Sequence, residues 1–247
     1  MIPYQDTIPA ERFPIMNWII IGLNTLVFLF ELSLTEPQIK ALFETYGVVP
    51  LHFSGSPEPL PLTAYFPFLS SMFLHGGWAH YLGNMWTLFI FGDNVEDRMG
   101  PARYLVFYLL SGLGAGILHY YLNILSDMPA IGASGAISGV MAAYMVMFPH
   151  SRIIFIFPIF IFPFFFELSA FFYIGAWFFG QLLSGTSFLM AGSDASSIAF
   201  WAHVGGFLTG LALYRFFITK KDSAPPDDDP SLLYENPFQD HYRRLHW

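Results

Sequence analysis

A glycine-rich segment, 131–140, carries two serine hydroxyls at the point where an apolar stretch begins. Ser134 has only small residues beside it, so no bulky side chain shields its hydroxyl. At the first turn of a helix the backbone N–H groups have no intrahelical acceptor and can hold an anionic oxygen. Nucleophilic acyl transfer needs both an approachable oxygen and such donors. Helix packing is the other explanation, because Gly135 and Gly139 form a G-x-x-x-G face.

A base for this serine is available in a later apolar segment. His203 lies there beside Ala202, Gly206 and Gly210, which have small-xxx-small spacing. Faces of this kind let two helix backbones approach closely, so we expect the segments of Ser134 and His203 to pack together. A neutral histidine within hydrogen-bond reach could then accept the serine proton.

Further polar residues occur in apolar surroundings. His80 and Asn84 have i, i+4 spacing and therefore share one face of a helix. Together with the Ser134 N–H they could donate hydrogen bonds to a developing oxyanion, since an amide donates at any pH. Hydrogen bonding between helices is an equally open explanation for this pair. For His75 and His119 we predict packing or interfacial roles.

The composition indicates a protein that crosses a membrane several times. Of the 247 residues 55% are hydrophobic and only 11% are charged, with a mean hydropathy of +0.51, whereas a soluble protein is about a quarter charged. No cysteine is present, which excludes disulfides, thiolate chemistry and cysteine-type zinc sites. We expect no cofactor. Six of the 18 acidic residues lie in the last 26 residues, and the net charge of −8 does not indicate nucleic-acid binding.

Apolar segments near the spanning length of about 20 residues predict an all-α polytopic membrane protein with a bundle of six transmembrane helices. Segment 1–15 is predicted to be cytoplasmic, 16–218 to form the membrane domain, and 219–247 to be an acidic, proline-containing, disordered tail. No cleaved signal peptide is expected. Pro158 and Pro163 should break the long apolar run 153–183. The predicted spans are 16–34, 78–91, 102–122, 134–147, about 163–183 and about 197–218.

The basic residues predict the orientation of these spans. With both termini in the cytoplasm, every Lys and Arg except Lys40 lies on the cytoplasmic side, as expected for membrane proteins. Ser134 then lies near the outer end of its span and His203 about 9 Å below the outer boundary. Glu167, near an inner boundary, could belong to an ion path, as in a transporter, although a carboxylate satisfied by a partner is the simpler interpretation.

The combination of these motifs resembles the rhomboid intramembrane serine proteases. The resemblance covers about residues 17–217 of this chain. The residues that carry the resemblance are Gly132-Ala133-Ser134-Gly135, His80-x-x-x-Asn84, Ala202-His203-x-Gly205-Gly206-x-x-x-Gly210 and Glu96-Asp97-Arg98-Met99-Gly100.

The resemblance implies an endopeptidase that cuts transmembrane segments of other membrane proteins near the outer face by acyl-enzyme chemistry. Ser134 is similar to the nucleophile, His203 to the base and later acid, and His80 and Asn84 to the oxyanion donors. The partners would be substrate helices and the lipid bilayer, and the location a multi-pass position in the bacterial inner membrane. The fifth span and the following loop 184–196 would form a lateral gate and cap.

Two positions depart from the family pattern. The outer segment 35–74 has neither Trp nor Arg, although many members carry such a pair there. Position 138 is a serine instead of an aromatic residue that would stack on the base, so either another group orients His203 or its ring is held less tightly. The alternative function is a non-catalytic rhomboid-like protein that binds transmembrane helices, although such proteins generally lack the nucleophile or the base.

Overall fold

The computed structural model of the protein describes residues 2–54, 60–159, 162–191 and 200–219. Most of the predicted tail 219–247 and part of the predicted cap 184–196 therefore lie outside the described residues. The elements in chain order are β1 (Ile2–Asp6), α1 (Ile15–Glu31), α2 (Glu36–Tyr46), α3 (Pro67–Ser70), α4 (Trp78–Met99), α5 (Pro101–Leu122), α6 (Ser134–Met147), β2 (Arg152–Ile159), β3 (Phe162–Ser169), α7 (Ala170–Ala191) and α8 (Phe200–Phe217).

The mostly helical architecture agrees with the predicted membrane bundle, although the six-span count and the side of the termini stay predictions. Among the described residues, α5 alone is both long and apolar enough to cross a membrane by length and composition. Large apolar side chains lie exposed on the outside, among them Leu26, Phe172 and Phe216, while Asn24 and Ser111 are fully buried. Extensive exposed apolar surface of this kind marks a membrane or protein contact.

The helix predicted from about residue 163 to 183 is wrong in its first part, and the fold is not purely α-helical. Strands β2 and β3 pair in antiparallel register, and the helix begins only at Ala170. Isoleucine and phenylalanine dominate β2, and phenylalanine dominates β3. Both residue types favour extended backbone. Pro158 lies opposite Pro163 in the register. Proline lacks the N–H that a helix needs in its interior, so the two prolines exclude a continuous helix through this run.

A salt bridge joins the two strands of this hairpin. Arg152 Nη1 lies 3.3 Å from Glu167 Oε2. The prediction that Glu167 is a carboxylate satisfied by a partner is therefore confirmed.

The segment before the first helix packs on the rest of the molecule. Strand β1 pairs antiparallel with β2, with Ile2 opposite Ile156, and the sheet order is β1-β2-β3. The Trp86 side chain on α4 donates a hydrogen bond of 2.6 Å to the Pro3 carbonyl oxygen. The sheet therefore connects the residues before α1 to the hairpin that leads directly into α7.

Carboxylates at the end of α4 hold the beginning of α1. The Glu96 side chain accepts hydrogen bonds from the backbone N–H groups of Met16 and Asn17, at 3.0 and 2.7 Å. The first N–H groups of a helix lack intrahelical acceptors, and the positive helix end favours an anion. Glu96, the acidic residue of the E-x-R-x-G turn that the sequence shares with the family, thus fixes where α1 starts against α4.

Asp6, at the end of β1, is a half-buried carboxyl group at the contact with α4 and α6. Its Oδ2 accepts hydrogen bonds from the Tyr144 hydroxyl and from the Asn94 side chain, the latter at 2.8 Å. Burial raises the pKa of Asp6 to about 7, and the nearby Asp93 carboxylate acts in the same direction. The docked strand therefore favours the neutral form of this group.

This carboxyl group should make the docking of β1 sensitive to pH. In the undocked strand its pKa returns to the ordinary aspartate value of 3.8, so the stabilisation is greatest below about pH 4 and is lost as the pH rises through about 7. We expect amide hydrogen exchange in β1 to accelerate between about pH 5 and pH 8 beyond its intrinsic dependence, and Asp6→Asn to remove this excess. Glu11→Gln, at an exposed position of the same segment, is the control. An undiminished excess in Asp6→Asn would contradict this interpretation.

Candidate active site

Ser134 is the first residue of α6, and an unusual backbone conformation precedes it. Gly132 has a φ of +123°, a region that glycine adopts without the strain a side chain would cause. The Gly132 N–H donates a hydrogen bond of 2.8 Å to the Ser71 carbonyl oxygen, which fixes the turn. The Ser134 N–H belongs to the first turn of the helix, where such groups have no acceptor within the helix.

Glycines bring the backbones of α6 and α8 into direct contact. A Cβ atom added to Gly206 would overlap the carbonyl oxygen of Gly135, and one added to Gly210 would overlap that of Gly139. The small-residue faces predicted on the two segments therefore pack against each other, as close helix approach requires. Helix packing and catalysis are therefore not competing explanations for these glycines. The packing of α6 on α8 brings the side chains of Ser134 and His203 together.

Ser134 and His203 lie within hydrogen-bond distance. Ser134 Oγ is 2.8 Å from His203 Nε2, and both side chains are half-buried. This separation lies in the range that a nucleophile and its general base require. The Ser134 hydroxyl can donate its proton to an unprotonated Nε2.

The second ring nitrogen of His203 has a partner on α7 that the sequence did not reveal. Gln181 Oε1 lies 2.7 Å from His203 Nδ1, and the Trp177 ring lies beside the imidazole, with 5.7 Å between ring centroids. The signal in the sequence for Gln181 is an amide side chain in a mostly apolar segment, since polar residues in membrane helices commonly have functional partners. Ser138 instead donates a hydrogen bond of 2.6 Å to the Ser134 carbonyl oxygen within α6.

His80 and Asn84 both lie next to the turn that precedes Ser134. A Cβ atom on Gly132 would be 2.6 Å from His80 Nε2 and 3.7 Å from Asn84 Nδ2. His80 Nδ1 accepts a hydrogen bond of 3.3 Å from the Gly76 N–H, which leaves the ring proton on Nε2, facing the site. Asn84 Nδ2 is buried and has no acceptor among the described residues. Buried donors are rarely left unpaired, so both groups can donate to a bound oxygen.

The two histidines predicted to have packing or interfacial roles, His75 and His119, are buried. His75 is 1% exposed, and its ring makes edge contacts with Phe28 and Tyr81. His119, on α5, lines a cavity of about 30 Å³ that also borders Ser71 and Ser134. A cavity of this size can hold a water molecule.

Comparison with known proteins identifies the family. The Rhomboid domain profile matches residues 63–220. The chain is 28% identical over 166 residues to Rhomboid protein 1, mitochondrial, of Saccharomyces cerevisiae, covering 64% of this chain and 43% of that protein.

Two further relatives agree with this identification. Rhomboid-like protein 11, chloroplastic, of Arabidopsis thaliana is 28% identical over 54% of the chain and 42% of its own length. Presenilin-associated rhomboid-like protein, mitochondrial, of Homo sapiens is 31% identical over 45% of this chain and 30% of its own length. The chain thus spans less than half the length of these curated relatives. Because the domain profile covers more than half of its residues, the chain belongs to the rhomboid family.

Proposed function

We propose that this integral membrane protein is an intramembrane serine endopeptidase that cleaves transmembrane segments of other membrane proteins near the outer face. The observation that supports the proposal most strongly is the 2.8 Å separation of Ser134 Oγ and His203 Nε2. The two groups belong to α6 and α8, whose glycines hold the helices in contact. Membership of the rhomboid family, which includes intramembrane serine proteases, agrees with this chemistry.

In the acylation step, His203 Nε2 accepts the proton of Ser134 Oγ while this oxygen attacks the carbonyl carbon of the scissile peptide bond. The carbonyl oxygen becomes an oxyanion, for which the Ser134 N–H, His80 Nε2–H and Asn84 Nδ2 are the proposed donors. The imidazolium then gives its proton to the departing amine, and the C–N bond breaks. The product is an ester between Ser134 and the acyl half of the substrate.

In the deacylation step, His203 accepts a proton from water as the water oxygen attacks the ester carbonyl. Collapse of the second tetrahedral intermediate returns the proton to Ser134 Oγ and releases the carboxyl product. Water must reach the site from the outer aqueous side, since the bilayer interior supplies none. The scissile backbone must be extended, because a helix occupies its carbonyl groups in its own hydrogen bonds. We therefore propose that substrates carry helix-breaking or small residues near the outer surface.

We also propose six membrane spans with both termini in the cytoplasm, as the distribution of basic residues predicts. The names of the relatives place those proteins in mitochondria and chloroplasts, so they give no support to the bacterial inner membrane expected from the sequence.

Two measurements on the purified full chain test the proposed function. A panel of single-span substrates is incubated with the protein, and the termini of the products are read by mass spectrometry. In parallel, the folded protein is treated with a fluorophosphonate probe, which modifies activated serines. We expect a defined cleavage near one end of a transmembrane segment and modification at Ser134. Intact substrates together with an unmodified Ser134 would instead support a non-catalytic protein that binds helices.

Asn84→Ala should lower kcat with little change in KM, because the proposed hydrogen bond forms with the oxyanion and not with the bound substrate. Loss of one oxyanion donor typically costs about 10²- to 10³-fold in kcat. Thr87→Val is a matched control on the same helix, since the Thr87 hydroxyl bonds to the Gly83 carbonyl oxygen. An Asn84→Ala variant whose kcat equals that of Thr87→Val would exclude Asn84 from this role.

A further inference from the structure

We propose that Gln181 is the positioning residue of the site: its side-chain oxygen accepts a hydrogen bond from His203 Nδ1–H and so directs the Nε2 lone pair at Ser134. This inference rests on the proposed function and extends it to a third helix, α7. The distance from Gln181 Oε1 to His203 Nδ1 is 2.7 Å, which is within the range of a well-formed hydrogen bond.

A neutral imidazole exists in two forms. Only one of its nitrogens carries a proton, and the other has an acceptor lone pair. An amide oxygen can only accept, so its contact with Nδ1 requires the proton to be on Nδ1. The lone pair is then on Nε2, which is the nitrogen 2.8 Å from Ser134 Oγ. The partner of one nitrogen thus selects the form in which the other can act as a base.

The position of Gln181 is well defined by the packing of α7 on α8. Phe178 stacks on Phe207 with ring centroids 4.0 Å apart. A Cβ atom added to Gly185 would lie 3.0 Å from the Trp201 ring. The glycine therefore leaves room for this ring. Trp177 and Gln181 have i, i+4 spacing and share one helix face. The Trp177 ring therefore lies beside the His203 imidazole, and Gln181 bonds to its Nδ1.

Two other polar side chains on α7 behave differently. The hydroxyls of Thr186 and Ser187 bond to carbonyl oxygens of their own helix, at Leu182 and Leu183. These bonds satisfy the hydroxyls locally and need no neighbouring helix. The Gln181 oxygen instead bonds across to the proposed base. The difference indicates a specific partner and not general tolerance of polar groups on this helix.

The neutral acceptor also has a chemical consequence. A carboxylate at this place would favour the imidazolium form of His203 and would be costly to bury. An amide orients the ring without adding a charge. The other titratable groups that act electrostatically on His203 are His80 on α4 and His119 on α5. We infer that the site is a Ser-His-Gln arrangement in which the third member orients the base.

A purely structural role for Gln181 is the competing explanation, because hydrogen bonds between membrane helices also stabilise their packing. Gln181→Leu keeps a similar side-chain size and removes the acceptor, and Gln181→Glu restores an acceptor oxygen. Thr186→Val on the same helix is the control. For each variant, kcat, KM, the pH dependence of kcat/KM, thermal unfolding and the rate of fluorophosphonate modification at Ser134 are measured on the full chain in detergent.

We expect Gln181→Leu to lower kcat and the modification rate about tenfold, as loss of one hydrogen bond would, with KM unchanged. Gln181→Glu should retain more activity, and its acid limb should move to higher pH, because a carboxylate favours the protonated, inactive base. Wild-type kcat in folded Gln181→Leu would overturn the proposal. Equal losses in both Gln181 variants with an unmoved pH profile would also overturn it. If wild-type Ser134 itself resists the probe and no substrate is cut, the proposed function fails, and not only the assignment of Gln181.

Discussion

Ser134→Ala is expected to abolish cleavage, with a loss of at least about 10⁴-fold in kcat. The proposed covalent intermediate forms on the Ser134 oxygen, and no other group can replace it in that step. Removal of a serine nucleophile in proteases of known mechanism leaves only the residual effect of oxyanion stabilisation and binding. The measurement is the initial rate of product formation from a single-span substrate, followed by mass spectrometry.

Ser138→Ala is the matched control for this change. Ser138 lies one turn further along α6 and bonds to the Ser134 carbonyl oxygen, so its removal leaves the proposed nucleophile in place. We expect this variant to keep most of the activity. Full cleavage by Ser134→Ala would end the assignment of the nucleophile, even if Ser138→Ala were also active.

Gly206→Ala is expected to damage both stability and catalysis, although residue 206 has no chemical role. The added methyl group would overlap the Gly135 carbonyl oxygen, so α6 and α8 must move apart. Overpacking of this kind costs about 1–3 kcal/mol. A displacement of about 1 Å between Ser134 and His203 can lower the rate roughly 10²-fold. Thermal unfolding and initial rates, measured where the variant is folded, report the two effects separately.

Gly175→Ala on α7 is the control for this experiment. An added Cβ atom there meets no heavy atom within 4 Å, and alanine in a helix interior is more stable than glycine by about 0.5–1 kcal/mol. This variant should therefore unfold at the same or a slightly higher temperature and keep its activity. A folded Gly206→Ala protein with wild-type activity would show that close contact of α6 and α8 is unnecessary for the site.

The candidate site was predictable where its signals are local. Ser134 and His203 each lie beside glycines at helical spacing, and the amino-acid pattern of such faces is enough to indicate close packing. The structure places the two side chains in contact, in agreement with that reasoning, while their catalytic roles stay proposals. Gln181 was not predictable in the same way, because no motif surrounds it and its partner is 22 residues away on another helix.

The sheet was missed for a different reason. A run rich in isoleucine and phenylalanine has no clear periodicity, so an apolar strand and a buried helix look alike in sequence. The prolines at 158 and 163 indicated a break, but not that both flanks would be extended. The pairing of β1 with β2 is even less visible, since it joins segments far apart in the chain and leaves no local pattern.

That pairing also imposes an order on biosynthesis. Ile2 leaves the ribosome before any part of α1, whereas its partner Ile156 is translated only after α6. The early strand must remain without its ladder while the intervening helices are made and inserted, because contacts between distant segments form late. Closure of the sheet therefore has to wait until β2 has been synthesised, and a nascent chain halted before residue 152 would hold β1 without its partner strand.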